Sequence, residues 1–217
     1  MVISELRTKI KGWTKLTNRT DAQLDDLINA SMHLIEDEYN FRRMKNQTTG
    51  TINSSTDYIT IPSDYKCVHS LWITVYSQQK VLLEKVEYKK LLMDYSFGSD
   101  WKTIPEMYST DDANSRFLIR PYPDDEYDYE FNYYGYSADL SDSNTSNFWL
   151  TTNLWDLLLW RTLLLAEGYG KNLPNAENQD MMTWKALYDE RLAKIINVEI
   201  DEVTKGSYKY RSPNVCV

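Results

Sequence analysis

The chain has 217 residues, 42% of them hydrophobic and 26% charged, and a formal net charge of −8. That length suffices to bury a sizeable core, as one domain or one domain with an elaborate insertion. The acidic balance argues against a protein whose main task is gripping nucleic acid, which usually shows a basic face. Its two cysteines, Cys67 and Cys216, lack metal-type pair spacing and are too few for a disulfide framework, so they read as a buried thiol and a tail thiol.

Met1 to Trp13 carries Ile3, Leu6, Ile10 and Trp13 at helical spacing, interrupted by charges, so it is a short amphipathic element and no signal peptide. A second helix starts at Thr20, where Thr20 and Gln23 match a capping box. Its apolar stripe is Leu24, Leu27, Ile28, Ser31, Leu34, Ile35 and Tyr39, and its polar face holds Asp25, Asp26, Asn29, Glu36 and Arg43. Gln47 to Thr56 is small and polar and reads as the turn-rich exit from the helical part.

A β-rich stretch follows. Tyr58 to Pro62 reads as an edge or terminal strand because proline stops the ladder, and Val68 to Tyr76 as a more buried strand. Val81 to Val86 is a further strand candidate, Glu87 to Tyr95 a short helix with Leu91 and Leu92 inward, and Ile104 to Tyr108 another strand. Arg116 to Arg120 reads as an edge strand ending in the turn Tyr122-Pro123-Asp124-Asp125. Tyr127 to Tyr136 alternates, with Tyr127, Tyr129, Phe131 and Tyr133 on one face and Asp128, Glu130, Asn132 and Tyr134 on the other, as a half-buried antiparallel strand does.

After a polar loop over 138–147, Leu154, Leu157, Leu158, Arg161, Leu164 and Leu165 run in helical register, flanked by Trp155 and Trp160 and closed by Gly168 and Gly170. Apolar residues lie nearly all round, which suits a central helix. The run from Leu154 to Ala166 contains Asp156 and Arg161 and is too short to span a bilayer. Pro174 opens the last helix, whose stripe of Met181, Trp184, Leu187, Tyr188, Leu192, Ile195 and Ile196 weakens at Glu199 and reaches Val203. Lys205 onward reads as an extended tail. The expected fold class is therefore α+β, a helical bundle from residues 1–48 and 150–204 enclosing a β-rich insertion over 49–149, with the tail at 205–217.

Nothing in the pattern is built for bond-making chemistry. His33 with Asp37, and His69 with Cys67, each supply two ligands where zinc needs three or four. The acidic run Asp124, Asp125, Glu126, Asp128 and Glu130, and the loop residues Asp142, Asn144 and Ser146, read as solvated charge rather than as cation sites. No phosphate loop, nucleophile elbow or metalloprotease motif occurs, so no catalytic, cofactor-binding or metal residue is assigned. Tyrosine and tryptophan enrichment (17 and 7) suits interfaces, where one end of the side chain stays wet. The interface candidates are Tyr122, Tyr127, Tyr129, Tyr133 and Tyr134, and in the tail Lys205, Tyr208, Lys209, Tyr210 and Arg211. The basic residues Arg7, Lys9, Lys11, Lys15 and Arg19 offer an alternative, a DNA-binding module in the N-terminal segment.

Four segments carry a resemblance: Tyr58-Ile59-Thr60-Ile61-Pro62-Ser63-Asp64-Tyr65, Ile119-Arg120-Pro121-Tyr122-Pro123, Phe131-Asn132-Tyr133-Tyr134, and Asn153-Leu154-Trp155-Asp156-Leu157-Leu158-Leu159. In their order the chain resembles, over nearly its whole length, the head-to-tail adaptor proteins of short-tailed bacteriophages, the T7-like and SU10-like group. Each segment is short and degenerate, and the order carries more than any one of them. The resemblance implies no catalytic residues. It implies a ring of twelve copies at the head-tail interface of the virion, made in the host cytoplasm. Its partners would be the portal, met through the tail residues, a tail or nozzle protein, and duplex DNA passing through the channel without sequence-specific binding; no membrane is involved.

Overall fold

The computed structural model describes residues 1–14, 18–76, 79–95, 102–143, 148–170 and 179–206. The chain forms two compact units, one from Met1–Arg43 and the segment from Ser137 onward, the other from Met44–Tyr136. Both boundaries fall earlier than 49 and 149.

The first unit is helical: α1 (Ile3–Trp13), α2 (Asp21–Glu38), and, after the β-rich unit, α4 (Trp149–Asn153), α5 (Trp155–Gly170) and α6 (Gln179–Gly206). Helix α2 begins as the capping box dictates: Thr20 accepts the backbone N–H of Gln23, and the Gln23 side chain accepts that of Thr20. Leu24, Ile28, Ser31, Met32 and Ile35 are buried on its inner face. Glu36, placed on the polar face by the periodicity, is fully buried. Its carboxylate accepts the backbone N–H of Ser137 at 3.2 Å and faces His33 at 3.3 Å. Helix α5 packs against α1, α2, α4 and α6, and buries Leu157, Leu158, Leu159, Leu163 and Ala166. The register that begins at Leu154 is α5, and Leu154 itself caps a separate short helix, α4, before it. Helix α6 runs to Gly206 rather than stopping at Val203. Pro174 lies outside the described residues. Of the stripe expected for α6, Trp184 and Tyr188 are buried whereas Met181 and Leu187 are exposed.

Among the described residues the second unit holds eight strands in two sheets of four, with β1 (Lys45–Ile52), β8 (Tyr127–Gly135), β3 (Tyr65–Val75) and β4 (Gln79–Leu82) side by side in one. The other sheet orders β2 (Tyr58–Thr60), β7 (Arg116–Arg120), β6 (Met107–Asp111) and β5 (Glu84–Lys85). One apolar core joins Leu71, Ile73, Phe131 and Tyr133 of the first sheet to Ile59, Phe117, Ile119 and Tyr108 of the second. Phe117 meets Phe131 edge-on with ring centroids 5.2 Å apart, the geometry that the ring quadrupoles favour. The short helix α3 (Tyr88–Asp94) buries Leu91 but leaves Leu92 exposed.

Two strand expectations are corrected. Gln47 to Thr56 is not an exit loop; most of it is β1, paired antiparallel with β8 from Lys45↔Tyr134 to Ile52↔Tyr127. β7 is not an edge strand, since β2 and β6 flank it. By contrast β2 does end its sheet, as Pro62 requires. Cys67 is also not a free thiol, as it is disulfide-bonded.

Candidate assembly surfaces

The alternation of β8 places its tyrosines as a strand buried on one face should. Tyr127 and Tyr133 are buried among the core residues, and Tyr129 packs partly against them. Tyr134, on the opposite face, is buried as well. The rings proposed as contact surface are thus largely absorbed by the chain's own core. Their hydroxyls have internal partners too: Tyr127 donates to Asp124 at 2.6 Å and Tyr133 to Asp64 at 3.0 Å. Burial first, and the neighbouring carboxylate second, raise the pKa of both phenols.

Asp64 explains part of the recognised segment before β3. It accepts the side-chain N–H of Asn46 at 2.8 Å, while its backbone carbonyl accepts the N–H of Tyr136 at 2.6 Å. Gly135 lets the strands close here, because a Cβ at that position would lie 2.6 Å from Asp64 Oδ2. Tyr122 is half-buried and lies against Arg120, the guanidinium carbon 3.8 Å from its ring centroid.

The turn after Tyr122 keeps its three acids exposed: Asp124, Asp125 and Glu126. Asp125 accepts the N–H of the next residue, Glu126, at 2.8 Å. Along β8, Glu130 takes Lys80 and the Asn132 side chain as partners. No group of three or more potential metal ligands forms among the described residues. Of the expected loop echo, Asp142 pairs with Arg7, and Asn144 and Ser146 lie outside the described residues.

The basic N-terminal residues are engaged within the helical unit. Arg7 forks onto Asp25 at 2.6 and 2.7 Å and also reaches Asp142 at 3.1 Å. Lys11 pairs with Asp21 at 2.7 Å, and Lys9 sits 5.0 Å over the Trp155 ring. Arg19 is exposed, and Lys15 lies outside the described residues. A DNA-gripping face needs cations free to displace counterions from phosphates, and three of these five are committed elsewhere.

The histidines are structural in their contacts. His33 bridges Glu36 and Asp139, the latter at 2.9 Å. His69 Nε2 accepts from the Lys45 ammonium at 2.7 Å. Partial burial first, and the Lys45 charge second, lower its pKa, which keeps the imidazole neutral as an acceptor must be.

Between α4 and α6 the helical unit has an open cleft of about 390 Å³. Trp149, Leu154, Ile195 and Val198 supply apolar walls, and Arg43, Arg191 and Lys194 a basic rim. Arg191 is paired with Asp156 at 2.8 Å and Lys194 with Glu190, so the rim carries little net charge. Of the tail candidates, Lys205 lies in the last turn of α6, and Tyr208, Lys209, Tyr210 and Arg211 lie outside the described residues.

A family profile described as SU10 adaptor protein matches residues 1–214. The chain belongs to the SU10 adaptor protein family. No curated protein matches it. Membership gives the adaptor a structural role in a phage and a place in the virion. Among the described residues no helix is long and apolar enough to cross a membrane. What sequence reasoning missed about this adaptor is the role of β1. A strand of Asn, Gln, Thr and Gly has no hydrophobic period, and only its pairing with β8 reveals it.

Proposed function

We propose that this adaptor joins the portal to the tail as a ring, twelve copies around a channel that duplex DNA crosses. The observation that carries the reading is the family match over residues 1–214. The chemistry of the chain agrees with it. A net charge of −8 per copy, repeated around a ring, repels the phosphate backbone, so DNA slides without adhering. The portal contact falls to the segment from Lys205 to Val217, whose Lys205, Lys209 and Arg211 alternate with Tyr208 and Tyr210. Such a segment orders on an acidic neighbour through charge and through amphipathic rings of low entropic cost. A tail or nozzle protein binds the opposite end. The exposed acidic turn Asp124, Asp125 and Glu126 and the adjoining Tyr122 and Tyr129 are offered to neighbours, in place of the buried Tyr127, Tyr133 and Tyr134.

Replacing Lys205, Tyr208, Lys209, Tyr210 and Arg211 together by serine tests the reading and spares both cysteines. The variant should keep its circular-dichroism spectrum and lose capture by purified portal rings. Portal capture at undiminished affinity would remove the tail from the contact. The alternative, a DNA-binding module at the N-terminus, predicts salt-dependent duplex binding, and the pairing of Arg7 and Lys11 weighs against it.

A further inference from the structure

The four sheet edges in the β-rich unit are unequal. β2 has three residues and β5 two, the short edges that natural sheets use to avoid unwanted pairing. β1 has eight, and from Asn46 to Ile52 it carries no charge and no proline. Only β8 pairs with it among the described residues, so its outer row of N–H and C=O groups faces outward. β4, at the other edge of the same sheet, is bordered only by β3 among the described residues and holds Leu82 with 47% of its surface exposed. Its one charge, Lys80, is turned onto Glu130. Apart from Lys45 at the start of β1 and the paired Lys80 of β4, both edges lack the charges and prolines that ordinarily block strand addition.

The pairing directions add a constraint. β1 is antiparallel to β8, β8 to β3 and β3 to β4. β1 and β4 therefore run in opposite directions, and β4 of one copy meets β1 of another antiparallel with no change of sense. We propose that the two edges join neighbouring copies, β4 of each pairing with β1 of the next, so that one antiparallel sheet continues from subunit to subunit. This rests on the ring reading above and names its subunit contact. Following the levels across the sheet, Leu82 and Trp72 stand level with Glu130 and Thr49, and Lys80 with Asp128 and Thr51. In the unsheared register Leu82 faces Thr49 of the next copy, Lys80 faces Thr51, Val81 faces Gly50 and Gln79 faces Ile52. No like charges oppose each other, and the exposed Leu82 gains a β-branched neighbour. Because two different edges are used once each, the contact is head-to-tail and closes into a ring when the rotation permits.

Hydrogen exchange over 45–52 is the direct test, comparing dilute full-length monomer with the assembled form, obtained at high concentration or on portal protein. Exchange of the outward β1 amides should slow at least tenfold on assembly. Two further sets of variants separate the edges. Thr48→Pro and Thr49→Pro remove adjacent N–H groups, one facing β8 and one facing outward; the variant that retains monomer stability should not assemble. Leu82→Lys should weaken assembly at least tenfold while leaving the monomer's melting temperature unchanged. Equal exchange in both forms, or normal assembly by the stable proline variant, would overturn the proposal. Assembly that halts at dimers and ignores Leu82→Lys would overturn it in favour of β1 pairing with itself. Absence of any assembly, with or without portal protein, would overturn the ring reading as well, whereas assembly with β1 amides open overturns this contact alone.

Discussion

The buried guanidinium of Arg120 is held against the carboxylate of Asp57, tying the end of β7 to the residue that precedes β2. Arg120 also donates to the carbonyl of Ile119 at 2.6 Å and to the Tyr122 hydroxyl at 3.0 Å. The Ile119-Arg120-Pro121-Tyr122 segment that marks the family resemblance therefore works as a structural clamp. Removing one partner of such a pair strands a charge in the interior. Asp57→Ala should cost about 3–5 kcal/mol in urea unfolding. The Asp57→Leu/Arg120→Met double variant should recover much of that loss. A cost below about 1 kcal/mol for the single variant would show that the pair is solvated in the folded state.

In the helical unit, Glu38 of α2 accepts the Tyr188 hydroxyl of α6 and pairs with Arg161 of α5 at 3.0 Å. The Arg161 guanidinium also lies 5.5 Å from the centre of the Tyr188 ring. One carboxylate thus fastens three helices. Tyr188→Phe keeps the ring and its burial but deletes the donor. The expected loss is about 1–2 kcal/mol, at the lower end for a bond to a charged group because Glu38 is partly in water. Arg161→Met on the Tyr188→Phe background should cost less than on the unaltered chain, the mark of a shared network. Strictly additive losses would break that link.

The elements that announced themselves in sequence are those governed by local rules. Thr20 and Gln23 needed only each other to set the start of α2. Tyr127 to Tyr133 alternated because one face of β8 meets the core. The failures share a different cause, a partner far away in the chain. Glu36 reads as a surface acid until the N–H of Ser137, 101 residues away, is brought to its carboxylate. β1 reads as a turn because its neighbour β8 supplies the order that its own composition lacks. Tyr134 reads as contact surface because a tyrosine suits an interface, yet it is buried. An isolated period of two says which residues share a face and not which face is covered.

Asp111 offers an acid-side test. It accepts the side chain of Asn114 at 2.8 Å and of Arg116 at 2.8 Å, and these bonds, in that order, hold its pKa below the usual aspartate value. A depressed carboxyl stabilises the fold at pH values above its unfolded pKa and loses that contribution as the pH falls through the folded one. Asp111→Asn should therefore lower the melting temperature near neutrality. The gap to the unaltered chain should narrow below pH about 3.9. A gap that stays constant down to pH 2 would assign the effect to packing instead.

The alkaline limb is set by tyrosines. Burial, the largest cause in each case, raises the phenol pKa of Tyr108, Tyr127, Tyr133 and Tyr188, and hydrogen bonds to Asp124, Asp64 and Glu38 add to it in the last three. A raised pKa means that the folded state binds the proton more tightly than the unfolded one. The contribution is therefore complete below the unfolded value of about 10 and is lost as the pH climbs above it. Stability should be flat from neutrality to pH 9 and fall steeply beyond pH about 10. A spectrophotometric titration should then resolve two groups among the 17 tyrosines. Exposed phenols ionise reversibly near pH about 10, and the buried set ionises only together with loss of the near-ultraviolet dichroism. Phe131→Ala, which opens the sandwich core at a cost of about 3–5 kcal/mol, should move the second step to lower pH. If all 17 ionise in one step while the dichroism persists, the tyrosines of β8 are not buried as described.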